Sequence, residues 1–137
     1  MSETRENSGS AAAPAAPGGE ADDQIRLRLD RPAPGQAVLE VGGEVDMLTS
    51  PQLRVAALEL LGSGAGVELV VLALDDITFL GTSGLAVLIE LRDTAHESGV
   101  ELRLACTARR VLRPLAIAGL VPLFDVHPTV EEALADT

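Results

Sequence analysis

Two hydroxyl side chains, Thr82 and Ser83, lie between two glycines in the stretch GTSG, residues 81–84. A strand-like run precedes this stretch and a long apolar run follows it, so the hydroxyls lie where a strand passes into a helix. One such hydroxyl is enough to cap a helix. A helix N-terminus also favours added negative charge, because its first amides are unpaired. The residue types therefore leave two interpretations open, a simple N-cap and a corner that carries a phosphate.

An acidic turn is the second feature that could take part in binding. Glu44 and Asp46 lie in GGEVDMLTS, residues 42–50, at the end of a predicted strand and before a predicted helix. In α/β sheets the strand ends that give rise to helices share one edge, and ligands usually bind there. We therefore expect the acidic turn and the hydroxyl corner to share that edge. The alternative interpretation is a solvated acidic turn.

The residues that metal and nucleophilic chemistry require are scarce. The chain has one cysteine and two histidines, His96 and His127, which are far apart in sequence, whereas a metal site needs clustered ligands. We interpret both histidines as solvated surface residues. A nucleophile also needs a base close to it, and none is evident near Thr82. The sequence therefore predicts no metal, no cofactor and no catalytic residue.

Cys106 ends a predicted strand of alternating apolar residues. A buried structural thiol is the interpretation that this position favours, because free cysteine behaves as a small apolar residue. A redox switch is the alternative. It would require a lowered thiol pKa, and only Arg109 and Arg110 lie near enough in sequence to lower it.

Composition narrows the classes of partner. The chain has 137 residues, of which 47% are hydrophobic, and a formal net charge of −11. Such a surface repels phosphate backbones, so direct nucleic-acid binding is not expected. The sequence has no apolar run of the roughly 18 residues that a membrane span needs, and no basic-then-apolar signal pattern. We therefore expect a cytoplasmic protein without membrane insertion.

The chain divides into a tail and one domain. Residues 1–23 are rich in Ala, Pro, Gly and Ser and are predicted to be disordered, because they cannot bury enough apolar surface. Residues 24–137 form the domain. Its periodicity predicts the element order ββαβαβαβα, which gives an α/β fold with a mixed, mostly parallel sheet of about five strands and four helices.

Helical spacing also predicts which residues face the core. Thr49 or Ser50 is expected to cap the first helix, and the second helix is expected to start near Ser83. The predicted inward residues are Leu53, Ala57, Leu60 and Leu61 in the first helix, Leu85, Leu88 and Ile89 in the second, and Val111, Leu115 and Ala118 in the third.

Three segments in order resemble the STAS domains of bacterial anti-sigma-factor antagonists. They are VGGEVDMLTSPQL, VELVVLALDDITFLGTSGLAVLIEL and GVELRLACTARRVLRPLAIAGLVPLFDVHPTVEEAL, and the similarity extends over about residues 24–136. The resemblance implies a STAS-type fold and no catalysis by the protein itself. It further implies that the chain binds an anti-sigma factor with serine kinase activity and so releases a sigma factor. In that family the kinase phosphorylates a hydroxyl at the corner, which ends the binding, and a PP2C-type phosphatase reverses it.

Matching the motifs residue by residue assigns the positions. The resemblance implies that Thr82 is the phosphate acceptor, with Ser83 as the alternative, and that Asp46 takes part in recognition by the kinase. The chain departs from the family pattern in having Gly81 where an aspartate is usual and Thr where the acceptor is usually Ser. The predicted partner-binding residues are Glu44, Asp46, Gly81, Thr82, Ser83 and Gly84.

Two other functions remain open at this point. One is a STAS module regulated without phosphorylation, such as a transporter-associated or stressosome-type scaffold. The other is a small α/β enzyme with Thr82 as nucleophile, which the lack of a base makes the weakest of the three.

Overall fold

Strands and helices alternate along residues 25–62 and 64–135, the part of the chain that the computed structural model describes. The order predicted from periodicity, ββαβαβαβα, is confirmed. The predicted tail, residues 1–23, lies outside the described residues. The elements are β1 (Ile25–Asp30), β2 (Gln36–Val45), α1 (Ser50–Leu61), β3 (Leu69–Leu80), α2 (Thr82–Ser98), β4 (Glu101–Ala105), α3 (Arg109–Ile117), a 3-10 turn (Val121–Leu123), β5 (Asp125–His127) and α4 (Val130–Ala135).

The five strands form one mixed sheet in the order β1-β2-β3-β4-β5. The pair β1 and β2 is an antiparallel hairpin, and the other neighbours are parallel. Both the predicted hairpin and the mostly parallel sheet are thus confirmed. The central strand β3 is apolar on both faces over its first half, as a strand covered on both sides must be.

Each face of the sheet has its own apolar core. Val70, Leu72 and Leu74 of β3 point into the larger core, which also contains the buried residues of α1, α2 and α3. Leu69 and Val71 point the other way, into a smaller core closed by α4. Three helices therefore lie on one face and one helix on the other, so the parallel strands are covered on both sides.

The central strand β3 continues beyond the end of its neighbour β4. The two strands pair only over Leu69–Ala73, whereas β3 runs on to Leu80. Arg110 of α3 donates hydrogen bonds to carbonyls on this unpaired edge. Its Nε donates to the Ile77 carbonyl at 2.6 Å and its Nη2 to the Asp75 carbonyl at 2.7 Å. A side chain of α3 thus replaces the missing strand partner.

The Asp75 side chain of β3 in turn accepts hydrogen bonds from the residues just before α3. One of its carboxylate oxygens accepts hydrogen bonds from the amides of Thr107, at 2.8 Å, and Ala108, at 2.9 Å, just before α3 begins. Partial burial raises the pKa of Asp75, but these amides, chiefly that of Ala108, outweigh it, and the net pKa is lowered. Strand β3 and helix α3 are therefore held together from both sides.

Two of the predicted inward residues are wrong. Ile89 and Ala118 are exposed, while the four inward residues predicted for α1 are all buried. Helix α2 begins at Thr82 rather than Ser83, and its buried stripe starts in the first turn. The first residue of this buried stripe is a glycine, which does not contribute to a pattern of apolar side chains. The buried residues of α2 are Gly84, Val87, Leu88, Leu91 and Ala95.

The two histidines differ in environment. His96 is exposed, as predicted. His127 is not a solvated loop residue: it ends β5, where it pairs with Ala105, and its side chain is only 12% exposed. Its Nε2 lies 3.0 Å from Oδ1 of Asp125. The prediction failed because the last strand extends to the residue before Pro128, which the sequence pattern had marked as loop.

We expect Gly84→Ala to destabilise the fold by about 1–3 kcal/mol, a cost typical of overpacking. A Cβ at this position would lie 2.7 Å from Cδ1 of Leu80 and 2.7 Å from Cγ1 of Val45. Gly62→Ala is the matched control, because its Cβ would meet nothing closer than 3.5 Å and its φ of −71° suits alanine. Urea unfolding followed by circular dichroism measures both. Equal stability of the two variants would contradict this account of the packing.

Candidate functional site

The hydroxyl corner is built where the adjacent ends of β2 and β3 meet the start of α2. The Gly81 amide donates to the Val45 carbonyl at 2.9 Å, which fixes the corner to the end of β2. Gly81 occupies the N-cap position, and no side-chain capping bond is present. The simple N-cap interpretation of Thr82 or Ser83 is therefore wrong. Helix α2 begins one residue earlier than predicted, which places both hydroxyls inside its first turn.

The two hydroxyl residues differ in exposure. Thr82 is exposed and Ser83 is half-buried. Within the described part of the chain, neither side chain makes a hydrogen bond to another residue. The structure thus presents Thr82 as an exposed residue in the first turn of a 17-residue helix. That position has unpaired amides close by, the setting in which an added negative charge is tolerated.

The two glycines of the corner have different environments. Gly84 is buried, and a side chain there would collide with Leu80 and Val45. Gly81 is half-buried, and a Cβ there would lie 3.1 Å from the ring of Phe79. Gly84 therefore brings α2 into close contact with the sheet, whereas Gly81 leaves room for an aromatic ring at the corner.

Asp46 organises the acidic turn. Its Oδ1 accepts hydrogen bonds from the amides of Leu48, at 2.9 Å, and Thr49, at 3.1 Å. Thr49 occupies the N-cap position of α1, as expected, but it makes no side-chain capping hydrogen bond, and its hydroxyl instead donates to the Glu44 carbonyl at 2.8 Å. The Asp46 carboxylate bonds the amides just ahead of the helix rather than those of its first turn. Asp46 therefore shapes the turn as well as adding a charge to the edge.

Glu44 lies outside this turn, within the last residues of β2. It is exposed, and its register partner across the parallel ladder is Phe79 of β3. Register partners in neighbouring strands point to the same face of a sheet. The carboxylate of Glu44 and the ring of Phe79 therefore flank each other on the exposed face.

A groove of about 780 Å³ joins the corner, the acidic turn and α3. Of the predicted site residues, Asp46, Gly81, Thr82 and Ser83 line it together; Glu44 and Gly84 do not. The predicted proximity of the turn and the corner is thereby confirmed. The other lining residues are Met47, Phe79, Leu80, Leu85, Arg110, Arg113, Pro114, Ile117 and Ala118.

Three of the lining side chains are large, apolar and mostly exposed. Met47 is 80% exposed, Phe79 54% and Ile117 76%. They come from the acidic turn, the end of β3 and the end of α3, so only folding brings them together. Scattered exposed apolar residues are ordinary, but a group of them in one groove marks an interaction site.

The sequence reasoning missed the contribution of α3. Arg110, Arg113, Pro114 and Ile117 follow the spacing i, i+3, i+4, i+7, which puts them on one side of the helix. The sequence did indicate that both arginines face outward. The missed signal was Ile117, a large apolar residue on the same outward stripe, which a solvated face would not need.

Other kinds of site find no support in residues 25–62 and 64–135. No three His, Cys, Asp or Glu side chains there are grouped as metal ligands would be. In the same ranges no helix combines the length and apolar character that crossing a membrane requires.

Cys106 is 2% exposed, and its Sγ lies 3.8 Å from the Ala108 carbonyl. Burial, assisted by the neighbouring Asp75 carboxylate, raises the pKa of the Cys106 thiol to about 12. At neutral pH such a thiol holds only a minute fraction of the reactive thiolate. This environment supports the structural interpretation of Cys106.

The comparisons with known proteins all indicate the same family. The family model described as STAS domain matches residues 29–133. The anti-sigma-F factor antagonist RsfB of Mycobacterium tuberculosis is 31% identical over 102 residues, which cover 73% of this chain and 80% of that protein. The anti-sigma-B factor antagonist of Bacillus subtilis is 26% identical over 93 residues, covering 68% and 83%.

A solved structure agrees with these matches. The crystal structure of an anti-sigma factor antagonist from Mycobacterium paratuberculosis superposes with a TM-score of 0.70 and 28% identity. The superposition covers 84% of this chain and 95% of that chain. The predicted fold class is confirmed by this match together with the five-stranded sheet.

We expect Cys106 to be unreactive while the protein is folded. The native protein should react with a water-soluble disulfide reagent at least about a hundredfold more slowly than the protein in urea, because burial suppresses the thiolate. Non-reducing gels after mild oxidation should show monomer. A disulfide-linked dimer formed by the folded protein would contradict the structural interpretation and favour the redox switch.

Proposed function

The chain belongs to the STAS domain family, and from that premise we propose that it is an anti-sigma-factor antagonist that binds its anti-sigma factor through the groove. Occupying the anti-sigma factor in this way frees a sigma factor to act. The relatives that carry this name are binding proteins rather than enzymes, and so is this chain. We place its action in the cytoplasm, where transcription takes place.

The observation that carries the proposal is the groove itself. It joins an exposed hydroxyl, Thr82, to three exposed apolar side chains on a chain whose formal net charge is −11. Apolar and aromatic side chains surrounded by polar residues are the usual composition of an interface core. The strongly acidic surface around them would repel nucleic acid, which favours a protein partner.

The same geometry supports a phosphorylation switch at Thr82. In this proposal the anti-sigma factor has serine kinase activity and transfers the γ-phosphate of ATP to the Thr82 hydroxyl, and a PP2C-type phosphatase hydrolyses the phosphothreonine. A phosphate adds about −1.5 to −2 charges. An unpaired charge buried at an interface costs about 2–5 kcal/mol, equivalent to a loss of roughly 30-fold to several thousand-fold in affinity.

One observation favours a second candidate, a STAS scaffold regulated without phosphorylation. The family's usual aspartate is absent at Gly81, and the ring of Phe79 lies 3.1 Å from the position that a Cβ would take there. The kinase would therefore meet an aromatic surface instead of a carboxylate beside the acceptor. The experiments below separate this candidate from the switch.

We expect Thr82→Glu to fold normally and to lose binding to the anti-sigma factor encoded in the same genome by at least about 30-fold. A carboxylate at an exposed first-turn position suits the helix but adds charge to the groove. Thr82→Ala should bind like the unmodified protein and take up no phosphate. Isothermal titration calorimetry measures the affinity, and mass spectrometry after incubation with ATP locates the phosphate.

Ser83→Ala is the matched control, because it keeps Thr82 and should still be phosphorylated. Phosphate on Ser83 alone would shift the acceptor by one residue. Binding without phosphate on either residue would establish the scaffold function. If Thr82→Glu binds unchanged, the groove is not the interface.

We expect two substitutions of Asp46 to separate its roles. Asp46→Asn keeps an Oδ1 that can accept from the amides of Leu48 and Thr49, so the free energy of unfolding should stay within about 0.5 kcal/mol. Asp46→Ala removes this acceptor and should cost about 0.5–2 kcal/mol, as lost caps do. Both should weaken binding or phosphorylation, because both remove the charge from the groove.

Denaturant unfolding measures the stability of the two variants, and calorimetry measures their affinity. Unchanged affinity and unchanged phosphorylation of Asp46→Asn would limit Asp46 to its structural role in the turn.

A further inference from the structure

Two arginines of α3 line the groove together with Thr82. Arg110 and Arg113 are three residues apart and lie on the stripe of α3 that borders the groove. No lysine occurs in this chain, so arginine supplies every side-chain cation apart from histidine. The planar guanidinium is the group best suited to bind phosphate by two parallel hydrogen bonds.

Arg113 is available for such a bond. Its side chain is exposed, and within the described residues it forms no ion pair or side-chain hydrogen bond. By contrast, Arg28, Arg54, Arg92 and Arg103 each pair with an acidic residue. Arg26, Arg31, Arg109 and Arg110 also form no ion pair within the described residues, but of these four only Arg110 lines the groove.

Arg110 is held rigidly beside it. The Nε and Nη2 atoms of Arg110 donate to the carbonyls of Ile77 and Asp75, which fixes the guanidinium against β3. A guanidinium has five N–H donors, so these two bonds leave others, including those of Nη1. The positive charge of Arg110 therefore stays at the groove whatever Arg113 does.

The opposing charge in the groove is already engaged. Asp46 is the acidic residue among those that line it, and its Oδ1 accepts from the amides of Leu48 and Thr49. These bonds hold the carboxylate within its own turn. The Asp46 carboxylate therefore competes little with a second anion for binding to the two arginines.

We propose that Arg113, assisted by Arg110, binds the phosphate of phosphorylated Thr82 across the groove within the same chain. The inference rests on the proposed function, since it concerns the regulation of the same site. The phosphate would bridge the first turn of α2 and the groove side of α3, between which Phe79 and Ile117 are exposed. Phosphorylation would then close the groove as well as add charge to it, and a partner would have to break the bridge to bind.

The test installs phosphothreonine at position 82 of the full chain during translation, so that no kinase is needed. Phosphorus NMR then follows the second ionisation of the phosphate with pH. Removing a bound arginine should raise the pKa of that ionisation, because a nearby cation favours the dianion. We expect Arg113→Ala to raise it by about half a unit or more, equivalent to about threefold in proton affinity.

Arg109→Ala is the matched control, since Arg109 is exposed on the same helix but does not line the groove. It should leave the titration unchanged to within about 0.1 unit, which isolates the local contact from net charge. Arg113→Lys should restore part of the shift. Arg113→Gln keeps most of the side-chain stem and replaces Arg113→Ala if that variant unfolds.

Equal titrations of the unsubstituted protein, Arg113→Ala and Arg109→Ala would overturn the bridge. A rise with Arg113→Ala alone would establish it. Because the phosphate is installed without a kinase, a kinase that ignores Thr82 would refute the proposed switch and leave this measurement unaffected. Failure of the bridge would equally leave the proposed function intact.

Discussion

The structure depends on how the unpaired edge of the central strand is satisfied. Beyond Ala73, strand β3 has no β4 partner, yet it continues to Leu80 and carries the site at its end. Backbone carbonyls on a strand edge without a neighbour need donors from elsewhere. Arg110 supplies them, and Asp75 returns hydrogen bonds to the amides before α3. The same four hydrogen bonds that complete the strand therefore also fix α3 as a wall of the groove.

The opposite wall depends on a second close contact. Gly84 lies so near Leu80 and Val45 that no side chain fits, which seats the first turn of α2 directly on the ends of β2 and β3. This close contact places the two preceding residues, Thr82 and Ser83, at the groove. Gly84, which was predicted to contact a partner, thus serves the packing, and through the packing it sets the position of Thr82.

Sequence patterns predicted the fold and half of the site. Continuous apolar runs and helical spacing are local, so the element order and the inward face of α1 could be read directly. The buried phase of α2 could not, because it starts at a glycine that carries no hydropathy. The arginines of α3 were predicted to face outward, but the residues that they lie beside depend on how far β3 extends beyond the end of β4. That length is set by contacts between distant residues such as Asp75 and Ala108, which no local pattern encodes.

In the proposed switch, the position of Thr82 separates the effect of phosphorylation on binding from its effect on stability. A charge in the first turn of α2 meets unpaired amides, so the fold gains or loses little from it, about 0.3–1 kcal/mol at an exposed site. A partner that covers the exposed ring of Phe79 and the apolar side chains beside it in the groove must also cover that charge, which is far more costly. The two effects differ because the helix can solvate the charge and an apolar interface cannot. A hydroxyl placed in the core would disturb the fold, and one far from the groove would leave the partner unaffected. The end of β3, supported by Arg110, is where both conditions are met.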